Sequence, residues 1–388
     1  MMGYHLLTGA TGLLGRYLLK DLSLAGVPMA VLVRPSRRQT VEERVSSILY
    51  YWQKQHGYEL ARPMILEGDI CEPDLGLNPA ALDWVTKHCE ALIHSAASLT
   101  FISTSPQSEP WRSNVQGAQN ILDLCQRTGI EKLHHVSTAY VCGLRTGRIM
   151  ESDVDVGQTL GNDYEKSKLQ AEKMVRSAEH IKSLTVHRPA IIIGDSKTGF
   201  TNTFHGFYAA LQLAFMLTKA FDHSVNETGL MGGERVQFKL SGHESKNLIP
   251  VDWVSEVMSY VISHPEHHGK TYHLTPLHPV TTRLFRDVLE EVCGSYGAMF
   301  LGPDAEFDHP SEPEKLFYEH MQVYNSYWRD DPVFDCTNTL QAAPHLPSPY
   351  VNREMLVRLA KIAVDMNFTW SDRSFAAGPR KVATVVES

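Results

Sequence analysis

From residue 4 to residue 193, short apolar runs alternate with longer amphipathic stretches. Residues 4–7 are largely apolar and run into the turn Thr8-Gly9-Ala10-Thr11-Gly12-Leu13-Leu14-Gly15. Arg16 to Ala25 has helical spacing and stops at Gly26-Val27-Pro28, and Met29–Val33 reads as a buried strand. Strand, glycine turn, helix and strand in quick succession make a βαβ unit. The alternation goes on. Strands are expected at Met64–Leu66, Ala91–His94, Lys132–Ser137 and Leu184–Arg188, with helices at Asn114–Thr128 and Tyr164–His180. Repeated βα units imply an α/β fold, a doubly wound parallel sheet of Rossmann type covered by helices on both faces. Ligands then belong outside the carboxyl ends of the strands.

After Gly194 the period changes. Residues 200–245 read as helical and then loop-like around Gly229–Gly233. Asn247–Asp252 reads as a strand entering a helix that runs to His264. Tyr272–Thr275 is a short strand, Thr281–Cys293 an amphipathic helix, and Arg353–Met366 a last helix. Seven prolines fall between 302 and 350, which makes that segment loop-rich around one helix at about 312–329. Three regions follow. Residues 1–200 are a cofactor domain, which segments near 247–275 rejoin. Residues 201–370 are a smaller mixed substrate region, and 371–388 a frayed tail.

Composition narrows the choice of partner. Hydrophobic residues are 43% and charged residues 21%, an ordinary globular balance. With 36 Lys+Arg against 44 Asp+Glu, the formal charge of −8 does not suit a nucleic-acid-binding surface. The six cysteines at 71, 89, 125, 142, 293 and 336 contain no C-x-x-C pair, so buried free thiols in a reducing cytosol are expected. No leader precedes the first strand, no stretch is apolar enough to span a bilayer, and no His/Asp/Glu set has metal spacing. A cytoplasmic protein without a metal is expected.

The candidate chemistry begins at the glycine turn. Gly9, Gly12 and Gly15 let backbone approach a pyrophosphate and let helix and strand pack closely, while the backbone N–H groups from Thr11 to Leu14 face the anion. The second strand ends Val33-Arg34-Pro35-Ser36-Arg37-Arg38. Arg34 stands where an acid would bind the ribose hydroxyls, and guanidinium groups of Arg34 and Arg37 match a 2′-phosphate, so NADPH is the expected cofactor. Asp69-Ile70, after the third strand, is placed to meet the adenine. Tyr164 and Lys168 form Y-x-x-x-K, which puts both on one helix face. An ammonium beside the phenol is expected to lower its pKa and let it exchange a proton with a carbonyl oxygen. Thr138, or failing it Ser137, supplies a second hydroxyl from the end of a strand, and Asn114 is a candidate for a proton relay.

These residues resemble the extended short-chain dehydrogenase/reductase family over about residues 4–295. The resemblance rests on Thr8–Gly15, His94-Ser95-Ala96-Ala97, Asn114-Val115-Gln116-Gly117, Ser137–Val141, Tyr164–Lys168, Arg188-Pro189 and Asn247–Asp252. It implies Thr138, Tyr164 and Lys168 as the catalytic set with Asn114 assisting, and nicotinamide packing near Ala96, Ala97 and Pro189. The stretches Asn162–Glu172 and Arg188–Gly199 are similar to the thioester-reductase and fatty-acyl-reductase branch. That branch implies NADPH-dependent reduction of an apolar acyl thioester, carried on coenzyme A or an acyl carrier protein, to an aldehyde or alcohol. The chain shows no adenylation or carrier domain of the kind multidomain members have, and residues 302–370 match no part of the pattern. The alternatives are a ketone or aldehyde reductase for a large apolar molecule and a non-catalytic NADP sensor. A sugar-nucleotide epimerase would retain NAD, against which Arg34 argues.

Other residues invite plainer readings. One of His134 and His135 is expected to be buried against the sheet, and His267-His268 to lie solvated in a loop. Cys142 has no base beside it. The apolar stretch Phe204–Leu217 suits either core or the wall of an acyl pocket. Phe317, Tyr318, Tyr324, Tyr327 and Trp328 suit either core or a lid over it.

Overall fold

The structure, a computed structural model, describes residues 3–57, 59–221, 236–306 and 310–369. The expected loop at Gly229–Gly233 and the expected tail at 371–388 lie outside the described residues.

Seven strands form one parallel sheet: β1 Tyr4–Thr8, β2 Met29–Val33, β3 Met64–Glu67, β4 Cys89–His94, β5 Lys132–Val136, β6 Ser183–Pro189 and β7 Thr271–Leu274. Their spatial order is β7-β6-β5-β4-β1-β2-β3, so the order reverses beside β1, between β1 and β4. That reversal is where a doubly wound sheet opens a crevice. Alternate side chains point to opposite faces. Leu7, Val31 and Ile93 pack under α1 (Leu13–Leu24), α2 (Val41–His56) and the later helix Val251–Ser263. Leu6, Ala30, Leu32 and Leu92 pack under α3 (Pro79–His88), α4 (Gly117–Thr128) and α5 (Asp163–Ser177).

Local chemistry sets the helix ends. Thr40 and Glu43 form a reciprocal capping box at the start of α2, and Gly57 closes it in the left-handed region. Asn162 caps α5 through the Glu165 N–H. A π-helical turn, Arg112–Gln116, leads into α4. Asn114 therefore sits in that wider turn rather than opening a regular helix.

A second core lies beyond the sheet. It is built from α6 (Phe207–Phe221), α8 (Thr282–Cys293), α9 (Glu312–Met321) and α11 (Arg353–Asp365), whereas α7 (Val251–Ser263) and α10 (Thr337–Ala342) pack with the first core. Phe207, Leu211, Val288, Phe317, Leu356 and Leu359 form its centre, while α7 packs back on α1. Between 302 and 350 the helix ends at Met321, and Gln322–Tyr327 continues as a tighter turn, so the expected single helix to 329 divides in two. Residues 237–246, which follow the expected loop at Gly229–Gly233, hold two-residue strands that the helical and then loop-like reading of 200–245 does not include. Gln237–Phe238 pairs with Met299–Phe300, and Ser245–Lys246 with Val280–Thr281. These pairs close between distant segments, which helical spacing over 200–245 does not reveal. Among the described residues no helix is long and apolar enough to cross a membrane.

Candidate active site

The turn between β1 and α1 is a close backbone approach. Gly9 has φ +77°, and a Cβ on it would lie 2.7 Å from the Ala96 backbone nitrogen. A Cβ on Gly15 would lie 2.0 Å from the Gly9 carbonyl oxygen. Gly12 occupies the cap position of α1, and no side chain caps that helix. Its first N–H groups are thus left for a ligand, and an uncapped helix start of this kind suits a pyrophosphate.

A cavity of about 420 Å³ begins at this turn. Gly9, Gly12, Leu13, Leu14, Gly15 and Ala97 border one end, and Thr138, Tyr164, Lys168 and Pro189 its middle. It continues between α6, α8 and α9 into a chamber of apolar side chains that includes Phe207, Ala210, Phe238, Leu240 and Phe300. Phe317, Tyr324, Tyr327 and Trp328 also line it. The Tyr318 hydroxyl turns away to the Gln237 carbonyl.

Strand β5 delivers Ser137 and Thr138 just past its end. The Ser137 hydroxyl donates to Glu172 at 2.6 Å, while the Thr138 hydroxyl stands near the Tyr164 phenol and donates to the Pro189 carbonyl at 3.4 Å. The geometry thus separates the two candidates: Thr138 faces Tyr164 and Ser137 anchors the strand. The anchor is a buried ion cluster. Both Nε and Nη2 of Arg188, itself fully buried, donate to the Glu172 carboxylate at 3.1 and 2.6 Å. Arg176 bonds the same carboxylate at 2.9 Å. Glu172 stands within a matching stretch of sequence, yet its anchoring role was not read there, because only the fold brings Arg188 beside it.

The Tyr164–Lys168 pair departs from expectation. Lys168 Nζ donates to the Val136 carbonyl at 2.7 Å. Burial holds the Lys168 ammonium down at about 8, with Glu172 opposing. Burial pushes the Tyr164 phenol up to about 12, against the nearby Thr138 hydroxyl. The i, i+4 spacing puts both groups on one face, but that face packs on the end of β5, whose carbonyl takes the ammonium. Tyr164 is therefore a protonated donor at neutral pH. The Asn114 carboxamide is saturated. It accepts from the Ser98 N–H at 2.8 Å and donates to the Ser98 carbonyl at 3.1 Å and to Ser167 at 2.9 Å. Its side chain braces α5 and makes no hydrogen bond to Tyr164 or Lys168.

The remaining sites lie outside the cavity, Arg34, Arg37, Asp69 and Ile70 near the ends of β2 and β3 and Ala96 just past β4. Arg34 Nη1 lies 3.8 Å from the Asp69 carboxylate. Arg37 is exposed, and Asp69 also accepts from the Cys71 N–H. Ile70 is buried against α4, and its carbonyl accepts from Asn120. The Ala96 N–H donates to Thr8 at 3.3 Å, behind the turn. Arg44, on α2, escaped the sequence reading together with its helix. Its guanidinium donates to the Arg34 carbonyl and, at 3.0 Å, to the Thr11 hydroxyl. The capping-box spacing of Thr40 and Glu43 was the available signal.

Both His134 and His135 are buried, at 1% and 0% exposure, because helices cover both sheet faces. The His268 ring packs edge-on to His134 at 4.6 Å rather than standing in solvent. Burial pushes the Cys142 thiol up to about 12. Among the described residues no group of three His, Cys, Asp or Glu side chains is arranged to hold a metal.

Residues 7–258 match the family model described as Male sterility protein. Aldehyde reductase lnaA from Aspergillus flavus is 26% identical over 91% of this chain and 35% of its own length. Nonribosomal peptide synthetase asaC from the same species is 26% identical over 71% of this chain and 26% of its own length. The chain thus spans about a third or less of these two relatives. Among solved structures, the terminal R domain from the myxalamid PKS-NRPS biosynthetic pathway superposes with a TM-score of 0.74 and 27% identity, covering 95% of this chain and 92% of that one. With the sheet order, the glycine turn and the Thr138–Tyr164 pair, these likenesses agree on one assignment: the chain belongs to the Male sterility protein family, in the thioester-reductase branch of the extended short-chain dehydrogenase/reductases, a class of NAD(P)-dependent oxidoreductases.

Proposed function

We propose that this chain uses NADPH to reduce an apolar acyl thioester, carried on coenzyme A or a carrier protein, to the aldehyde and, in a second round, the alcohol. One observation carries the reading: the Thr138 and Tyr164 hydroxyls line the same cavity as the glycine turn and the apolar chamber. The likeness to an aldehyde reductase and to the R domain of a thioester-based assembly line supports it.

When bound, NADPH supplies a hydride to the carbonyl carbon. The chain's own residues do the rest. Thr138 and Tyr164 donate to the carbonyl oxygen and hold the negative charge that develops on it. Tyr164 is a neutral phenol with a value near 12, so it enters the step carrying its proton. Lys168, held at the Val136 carbonyl, keeps a positive charge behind the site at neutral pH. As the oxyanion collapses, the carbon–sulfur bond breaks and the sulfur leaves as a thiolate, which takes its proton from solvent. In the second round Tyr164 gives its proton to the aldehyde oxygen. Asn114 keeps the loop at Ser98 fixed to α5.

Arg34, Arg37 and Arg44 gather positive charge at the end of β2, which favours the 2′-phosphate form of the cofactor. Asp69 and Ile70 border the adenine side, with Gly9 to Gly15, Ala96, Ala97 and Pro189 along the dinucleotide. The acyl group is uncharged in this reading, because among the described residues the chamber cations Lys246 and Arg286 are already paired. Lys246 bonds Asp331 at 2.9 Å, and Arg286 bonds Asp287. Residues 1–200 with 247–275 then serve the cofactor, and the second core serves the substrate. All six cysteines are free, which suits a reducing cytosol.

The test follows NADPH oxidation with a panel of acyl thioesters and free ketones while titrating released thiol. Matching loss of NADPH and gain of thiol is expected. Oxidation with ketones or aldehydes alone, and no thiol, would overturn thioester reduction and leave a carbonyl reductase.

A further inference from the structure

Residues 322–335 form a strap whose Tyr324, Tyr327 and Trp328 line the cavity; besides the pairing of Val333–Phe334 with Arg148–Ile149, three of its fastenings bear on the site. Tyr140 donates to the buried Asp331 carboxylate at 2.8 Å, and Lys246 bonds the same group. Arg329 donates to the Gly143 carbonyl at 2.8 Å. The third fastening enters the cap of the catalytic helix. The Asn162 amide donates to the Tyr327 hydroxyl at 3.2 Å and to Ser326 at 3.1 Å. The same Asn162 amide donates to the Glu165 carboxylate at 3.3 Å and so bridges Tyr327 to Glu165. Glu165, 2% exposed, accepts from the Gly161 N–H at 2.7 Å and lies next to Tyr164 in sequence. Rings continue the contact. Tyr327 stands edge-on to Phe101 at 5.6 Å and to Tyr140 at 5.4 Å. Phe101 stands edge-on to Tyr164 at 5.7 Å.

A buried carboxylate is costly unless its hydrogen bonds are satisfied. The reduction needs nothing from Glu165, and a backbone cap alone would have been met by Asn162. We propose that Tyr327 and Glu165 are positioning residues for the reduction: their shared hydrogen bonds with the Asn162 amide clasp the strap to the start of α5, press Phe101 against the Tyr164 ring, and so fix the hydroxyl that meets the substrate carbonyl. This rests on the thioester-reduction reading for its kinetics, but not for its structure. Placement of a reacting group to within an ångström governs rates. The clasp therefore acts on turnover more than on binding.

Tyr327→Phe removes the hydroxyl and keeps the ring, and Glu165→Gln keeps the volume of the carboxylate. Both are compared with the native protein on an acyl thioester and on a free aldehyde. Deuterium exchange of 99–103, 161–165 and 322–331 is measured in parallel. Expected for both variants is a fall in kcat on the order of ten- to a hundredfold, with the KM for NADPH unchanged, the thermal midpoint lowered by only a few degrees, and faster exchange in those three segments but not in α1. Were Glu165→Gln not to fold, Tyr327→Phe alone carries the test. Native kcat in a folded Tyr327→Phe, or exchange unchanged in all three segments, overturns the clasp. If the native protein turns over neither substrate, the functional reading fails, and the exchange comparison still decides whether the clasp exists.

Discussion

Lowering the pH from 7 to 5.5 should cost this protein a large part of its stability, because five histidines are locked neutral inside it. His94, His134, His135, His187 and His273 are each at most 2% exposed. Burial pushes His94 and His187 down to about 3 and His273 to about 4, and holds His134 and His135 well below the ordinary value. Neither ring nitrogen of His135 or His187 has a hydrogen-bond partner, so no contact favours the charged form. In the unfolded chain each titrates near 6.5. Below that pH the unfolded state binds protons that the native state refuses, so stability is full above about 6.5 and falls with pH until the folded values near 3 to 4. Each histidine costs roughly 1.3 kcal/mol over this interval, and five cost about 6 kcal/mol. Whole domains are held by about 5–15 kcal/mol. Burial raises Glu151, Glu165, Asp21 and Glu256, which works the other way as they become protonated. The assay is reversible urea unfolding followed by circular dichroism at pH 7.5, 6.5 and 5.5. His187→Phe, between His134 and Tyr272 at 5.9 Å each, should remove one proton from the linkage slope. Stability that stays level or rises from pH 7 to 5.5 would refute the reasoning.

Tyr164→Phe should lower kcat by about 10²–10⁴ while leaving NADPH affinity in place, measured by fluorescence titration; unchanged turnover would remove Tyr164 from the chemistry. Arg44→Ala combined with Arg34→Ala should weaken NADPH by about ten- to a hundredfold and NADH far less, read as the ratio of their kcat/KM values. An equal effect on both cofactors would show that these arginines do not read the 2′-phosphate. Glu172→Ala strands Arg188 as a buried charge and should cost about 3–5 kcal/mol in the same urea assay. Ala210→Phe fills part of the 420 Å³ cavity and should suppress turnover of long acyl thioesters while sparing short ones.

The parallel sheet was legible because its strands are short apolar runs ended by glycine, proline or polar turns, and local pattern suffices for that. Helix α2 was passed over although Val41, Val45, Ile48 and Trp52 keep helical spacing behind the Thr40–Glu43 box. With it went Arg44, which approaches Thr11 only through the fold. The segment after residue 302 resisted reading for a different reason. Its one described strand, Val333–Phe334, is two residues long and pairs with Arg148–Ile149 far back in the chain. No period in a local window can announce such pairs. The Tyr164–Lys168 electrostatics failed at a finer level: helix spacing sets a common face, but the Val136 carbonyl decides where the ammonium goes.

These differences divide the molecule by the kind of information that specifies it. The residues proposed to act on the carbonyl lie within 137–168, on a strand end and a helix start that the sheet positions. The chamber that would admit the acyl group comes mostly from residues 204–328, whose packing depends on long-range contacts. The two meet at the strap, where Asp331 holds Tyr140 and Tyr327 holds the cap of α5. A substitution within the second core can thus change which acyl group fits without altering the hydroxyl pair. One at the strap changes both, since its hydrogen bonds end on the helix that carries Tyr164. Separating kcat from chain-length preference across these two sets of variants therefore tests the division itself.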